Sequence, residues 1–190
     1  TDERFVKPIR IVLLADIQTD SINAQTRNAL QVAMEQHPDL IVFAGDYLQH
    51  SFWKDYQANI QPFNDVLIEY GLDAVPSIVV EGDAEYRWGN QWHALFENMN
   101  TTILDPSDRT LWNDIEIMGL TMTDSKNGVV LERSKANRFA ILVGHNPGLT
   151  ELIVRLGVNL DNLPTAGQFA FTVLSDDWKD LSAANCRFDW

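Results

Sequence analysis

Three short apolar runs, each followed at once by an aspartate, limit the folds open to this chain. Residues 11–15 (IVLLA) lead into Asp16. Residues 40–44 (LIVFA) lead into Gly45-Asp46. Residues 77–80 lead into Glu81-Gly82-Asp83. An unbroken aliphatic run of this length reads as a strand buried on both faces of a sheet. Between the first two runs, Thr26, Ala29, Leu30, Ala33 and Met34 recur at spacings of three and four. This predicts an amphipathic helix over 21–36, capped by Asp20 or Ser21 and stopped at His37-Pro38-Asp39. Strand, helix and strand in that order form a βαβ unit with parallel strands. Asp16, Asp46 and Asp83 then share the carboxyl edge of one sheet, where open α/β sheets bind ligands.

The rest of the chain continues the alternation. A second helix is expected over 52–70, with Phe63, Val66, Leu67 and Tyr70 on one face and Pro62 starting or kinking it. A short helix over 88–99 carries Trp92, Leu95 and Phe96. Strands follow at 102–104 and 115–120 with a turn at 105–108 between them, then a polar loop at 124–128. Residues 139–143 (FAILV) are another buried strand, running into Gly144-His145-Asn146-Pro147. A helix at 149–156 and a last strand at 168–174 precede a loosely patterned tail with Trp178, Leu181 and Phe188. No internal repeat or linker divides the 190 residues, so a single domain over 1–190 is expected.

Composition narrows the function. With 45% hydrophobic residues the chain can bury a substantial core. Its net charge of −13 opposes nucleic acid and anionic membrane surfaces as partners. The same charge tolerates a phosphorylated substrate where a metal supplies local positive charge. Cys186 is the sole cysteine, which excludes an intrachain disulfide and a multi-cysteine zinc site. No apolar run is long enough to span a bilayer. No signal peptide is visible, and a start at Thr1 fits a trimmed or mature form from which a leader or anchor has been removed. The compartment is unassigned, with a soluble, cytoplasmic setting the expectation. Oligomeric state is open.

Three carboxylates and the imidazole of His145 at adjacent strand ends suggest a divalent metal site, since hard ions take carboxylate oxygens and imidazole suits Mn, Fe and Zn. Two metals bridged by a carboxylate can clamp a phosphoryl group and activate water. Without a metal, converging acids repel one another. The glycines of the two Gly-Asp pairs would let the backbone approach a ligand closely. Two plainer readings stay open. Asp46 and Asp83 can be turn residues after glycine, and His145 a loop histidine bonded to carbonyls. His37, His50 and His93 carry no assignment.

Asp16-Ile17-Gln18, PDLIVFAGDY (38–47), VVEGDAEY (79–86) and VGHNP (143–147) together resemble the calcineurin-like metallophosphoesterases in order and spacing. The resemblance implies a sandwich of two β-sheets flanked by helices. It also implies hydrolysis of a phosphate mono- or diester by metal-activated water, with Mn, Fe, Zn or Mg as cofactor. By position, Asp16 would bind a first metal, Asp46 bridge two, and Asp83 and His145 bind the second; His145 is also the catalytic candidate. Departures from the family pattern imply an impaired site. Gln18 stands where Asp-x-His has its histidine and is a poor ligand. In the family's Gly-Asn-His-Asp/Glu motif, here Gly82-Asp83-Ala84-Glu85, Asp83 replaces the asparagine and Ala84 replaces the histidine that protonates the leaving group. No histidine follows His145 to complete Gly-His-x-His.

Residues 141–156, 163–171 and 176–181 also resemble the C-terminal part of bacterial phosphohistidine phosphatases, a likeness implying a chimera joined near residue 138. In that family the Gly-His-Asn-Pro histidine lies in a phosphate pocket, but the Arg-His-Gly nucleophile motif is missing here. The expected function is therefore a metal-dependent phosphoesterase with a depleted site. The alternatives are a non-catalytic metal- or phosphate-binding domain, a designed chimeric domain, or a phosphohistidine phosphatase. The expected partner is a phosphorylated small molecule or other phosphoester.

Overall fold

A computed structural model describes residues 9–105, 108–120, 140–144, 146, 148–164, 167–175 and 181–189. The polar loop at 124–128, His145, Pro147 and Trp178 lie outside the described residues.

The first half is the expected alternation of strand and helix. Strands β1 (Ile11–Leu14), β2 (Leu40–Phe43), β3 (Ser77–Val79) and β4 (Thr101–Ile103) form a four-stranded sheet in that order. All three pairings are parallel, with Leu14 opposite Phe43 and Phe43 opposite Val79. Helices α1 (Ala24–Glu35) and α2 (Trp53–Glu69) connect the first three strands. A four-residue helix α3 (Asp83–Tyr86) and a 3₁₀ helix (Gly89–Phe96) lead from β3 to β4.

A second sheet is built from β5 (Arg109–Trp112), β6 (Ile115–Leu120) and β7 (Ala140–Gly144). β5 and β6 are antiparallel, and β6 and β7 parallel. Helix α4 (Gly148–Arg155) follows, and β8 (Phe171–Val173) pairs antiparallel with β9 (Cys186–Phe188).

Period-two alternation decides which residues face which layer. Ile41, Phe43 and Val79 point into a cluster with Leu30, Phe63, Leu67 and Trp92 from the helices. Leu40, Val42, Ala44, Ile78 and Val80 point the other way, against Ile117 and Val143 of the second sheet. β2 is therefore buried along its whole length. The two sheets meet closely at Gly119, where a Cβ would lie 2.6 Å from the Leu104 Cβ and 2.9 Å from a Val80 methyl. This mixed α/β arrangement of parallel sheet, helices and second sheet matches the expected fold class.

Several local expectations are corrected. β1 is only half-buried at every residue, because it is the edge strand of its sheet. Asn23, not Asp20 or Ser21, caps α1: its side-chain oxygen accepts from the N–H groups of Gln25 (2.8 Å) and Thr26 (3.1 Å). Pro62 lies inside α2 rather than starting it, on the exposed face where water can satisfy the carbonyl it leaves without a donor. The segment before β6 contains β5, joined to it by Asn113-Asp114 with both residues at positive φ (46° and 64°), as a two-residue hairpin of right-handed twist requires. The tail also holds a strand, β9, which pairs with β8. No helix among the described residues is long and apolar enough to cross a membrane.

Candidate functional site

The carboxyl edge of the first sheet is held by unusual backbone. Asp16 leaves β1 with φ 50°, Gly45 follows β2 with φ 89°, and Asp46 has φ 59°. Aspartate is among the few residues that tolerate the left-handed region. Both Asp16 and Asp46, at consecutive strand ends, adopt it. The Asp16 N–H donates to the Gly45 carbonyl (3.4 Å), and the strands run on into a parallel bridge between Thr19 and Leu48. Asp16 and Asp46 therefore stand at the ends of neighbouring, hydrogen-bonded strands. Asp16 is half-buried, and Asp46 is 2% exposed.

Asp46 is locked to the next loop by a reciprocal pair of contacts. Its Oδ1 accepts from the Ala84 N–H (3.0 Å), and its own N–H donates to Glu85 Oε2 (2.9 Å). Glu85 is fully buried and also accepts, through Oε1, from the N–H groups of Tyr47 (3.0 Å) and Leu48 (3.4 Å). A single carboxyl group thus fixes three successive amides of the loop after β2. Burial, and then the Asp46 charge, push its pKa up to about 7, while the three amides pull it the other way. Tyr47 completes the loop. Its hydroxyl donates to the Val80 carbonyl (2.6 Å), its ring stacks on Trp92 at 5.7 Å, and burial raises the phenol well above its ordinary pKa.

The two Gly-Asp pairs have a shared reason in this arrangement. A Cβ on Gly45 would lie 2.5 Å from the Gly82 Cα, and a Cβ on Gly82 would collide with the Asp46 carboxylate and amide. The close approach these glycines permit is thus between the two loops themselves, not only toward a ligand as the sequence suggested.

The other candidates sit differently. Asp83 opens α3 with its residue exposed, and Gln18 is exposed on the loop beyond Asp16. His145 lies outside the described residues. Among the described residues no three His, Cys, Asp or Glu side chains are grouped to hold a metal ion. Asp46 gives one carboxylate oxygen, Oδ1, to the Ala84 amide, and Asp83 and Gln18 are exposed residues. The Asp16 and Asp46 carboxylates at neighbouring strand ends remain as a partial set.

Glu85 is the residue that sequence reasoning missed. Glu85 matches the acidic fourth position of the family's Gly-Asn-His-Asp/Glu motif, but the motif names only an acid there and not a buried acceptor for the loop after β2. A second titratable group was also unmarked. His93 pairs with Asp105 at 3.1 Å beyond β4, and buried Glu81 beyond β3 is pushed up to about 7 by burial and then by Asp105. His50 packs edge-on to Tyr56 at 6.4 Å between ring centres.

A family model described as calcineurin-like phosphoesterase matches residues 9–160. The match runs through all three aspartates and on past residue 138, across β7 and α4. No curated protein matches the chain.

Proposed function

Since the chain belongs to the calcineurin-like phosphoesterase family, we propose that it is a phosphoesterase with an impaired metal centre, acting on a phosphate mono- or diester slowly or only binding it. The observation that carries this reading is the pair of left-handed aspartates, Asp16 and Asp46, at the ends of two hydrogen-bonded parallel strands. They are the first donors for one divalent ion (Mn, Fe, Zn or Mg), with Asp83, Gln18 and His145 as further candidates. Such an ion supplies charge neutralisation for a phosphoryl group and acidifies water.

The chain's own contribution is orientation. Glu85 fixes the Asp46 backbone through its N–H, and the Ala84 amide holds the Asp46 carboxylate through Oδ1. Ala84 offers no proton to a leaving group, which supports slow turnover with poor leaving groups and better turnover with aryl esters.

The test is calorimetric titration of chelator-treated protein with Mn²⁺, alongside hydrolysis of an aryl phosphate and an aryl phosphodiester. Saturable binding that is lost in Asp46→Asn, with slow Mn²⁺-dependent release of the phenol, is expected. Unchanged Mn²⁺ affinity in Asp46→Asn refutes the site. Binding without turnover assigns the chain to a non-catalytic metal- or phosphate-binding domain. The likeness of 139–190 to phosphohistidine phosphatases bears on His145 alone: phosphate binding in the presence of chelator, abolished in His145→Ala, would support that second origin.

A further inference from the structure

A cavity of about 700 Å³ lies between the exposed edge of the first sheet and the C-terminal elements. Its volume falls within the range of small-molecule pockets, roughly 300–1,000 Å³. Ile11 and Leu13 of β1 and Val42 of β2 form one wall, and Leu152 and Ile153 of α4 with Phe171 of β8 form the other. On the edge strand β1, Ile11 and Leu13 face this space, while Leu14 packs on the opposite side against the helix-side core. The polar side chains on the lining are Asp16, Asn146, Gln168, Thr172 and Asp189. Asn146 is committed to the Leu163 carbonyl (2.7 Å) and Thr150 (2.8 Å), and Thr172 to Asp189 (2.7 Å). Asp16 also lines the cavity, so the apolar space is continuous with the carboxyl edge where Asp46 stands.

We propose that this cavity is a binding site for an extended apolar group, and that it takes the alkyl or aryl part of a phosphoester whose phosphate end lies toward Asp16 and Asp46. The second half of the proposal rests on the phosphoesterase reading above; the first half does not. An apolar chain is the occupant the walls select. Aliphatic side chains line both faces, and a charged or strongly polar ligand would be desolvated there without compensating hydrogen bonds. The continuity with Asp16 gives the chain a direction, apolar end inward and polar end at the sheet edge.

The experiment titrates chelator-treated protein with n-alkanols from butanol to decanol, then repeats the series with the matching monoalkyl phosphates in Mn²⁺, all below micelle formation. The alkanols read the cavity without metal or phosphate. Affinity is expected to rise about fourfold per methylene until the space is filled. Ala140→Phe and Leu152→Trp each place bulk in the cavity and should flatten that dependence, with thermal melting confirming that each variant is folded. Two variants at lining residues of different elements, Ala140 on β7 and Leu152 on α4, guard against the failure of one. Chain-length-independent binding, or the same dependence in both folded variants, overturns the proposal. Alkanol binding that emerges only as a dimer is diluted would assign the cavity to a second copy of the chain and also overturns it. Alkanol binding as expected, with no Mn²⁺-dependent gain for the alkyl phosphates, keeps the apolar site and refutes its link to phosphoester binding.

Discussion

Replacing Glu85 with glutamine separates two opposed effects of one buried carboxyl. The first is its bonding to the loop. Glutamine keeps one carbonyl oxygen, able to accept from the Tyr47 and Leu48 amides as Oε1 does now. Its NH₂ would then face the Asp46 N–H, which Oε2 accepts at 2.9 Å, donor against donor. One buried amide left without its acceptor costs about 1–3 kcal/mol. The second effect is electrostatic and works the other way. The Glu85 carboxyl is raised from its ordinary 4.5 to about 7, so the folded protein holds the proton more tightly than the unfolded chain does. The folded state is therefore unpenalised below pH 4.5, loses stability as pH rises toward 7, and carries the full penalty above it. That penalty is roughly 3 kcal/mol in all, most of which accrues between pH 5 and pH 8. Glutamine does not titrate. The parent already carries about 1 kcal/mol of that penalty at pH 5, so Glu85→Gln should be destabilised there by up to about 2 kcal/mol and lie close to the parent, or above it, at pH 8. Urea unfolding followed by tryptophan fluorescence, in chelator at both pH values, gives the two differences. Glu81 titrates in the same range but is common to both proteins and cancels. A stability gap that stays within about 0.5 kcal/mol from pH 5 to pH 8 would refute the buried, high-pKa carboxyl, because only its titration distinguishes the two proteins there.

Other consequences are simpler to measure. Gly82→Ala puts a methyl group into the Asp46 carboxylate and amide; a loss of about 2 kcal/mol or more in urea unfolding is expected from forced displacement in a packed site, and an unchanged midpoint would contradict the loop contact. Asn23→Ala removes the acceptor for two amides at the start of α1 and should lower stability by about 1 kcal/mol, whereas Asp20→Ala, at one of the two residues the sequence offered as a cap, should change it little.

How much of this was legible beforehand varies by element, for physical reasons. The parallel β1–β2–β3 core and the placing of Asp16 beside Asp46 followed from apolar runs and a helical spacing, which are local signals. β5 was not legible because Arg109-Thr110-Leu111-Trp112 is short and mixed, and its pairing is set by the Asn113-Asp114 turn. The cap of α1 fell to Asn23 rather than Asp20 or Ser21 because Thr19 is drawn into the bridge with Leu48, so the helix starts later. Glu85 falls at the acidic position of the family's third motif, but that it clamps the loop after β2 could not be read from spacing. Its role depends on two loops that meet only once the sheet is formed. The glycines carried a true signal with an incomplete explanation: they are required by each other's backbone.

The clamp joins Asp46 and Glu85, 39 positions apart in the chain. Closing so long a segment has an entropic cost that must be met before the contact returns anything. The helices and the β1–β2 pairing can form over shorter separations and are expected to precede it on the way to the native state. The clamp then behaves as a late fastening: its loss should leave refolding rates nearly unchanged and appear as faster unfolding. The same lateness makes this loop a brake on how long the folded molecule lasts. A chevron for Glu85→Gln at pH 5 whose folding limb moves and whose unfolding limb does not would reverse that order.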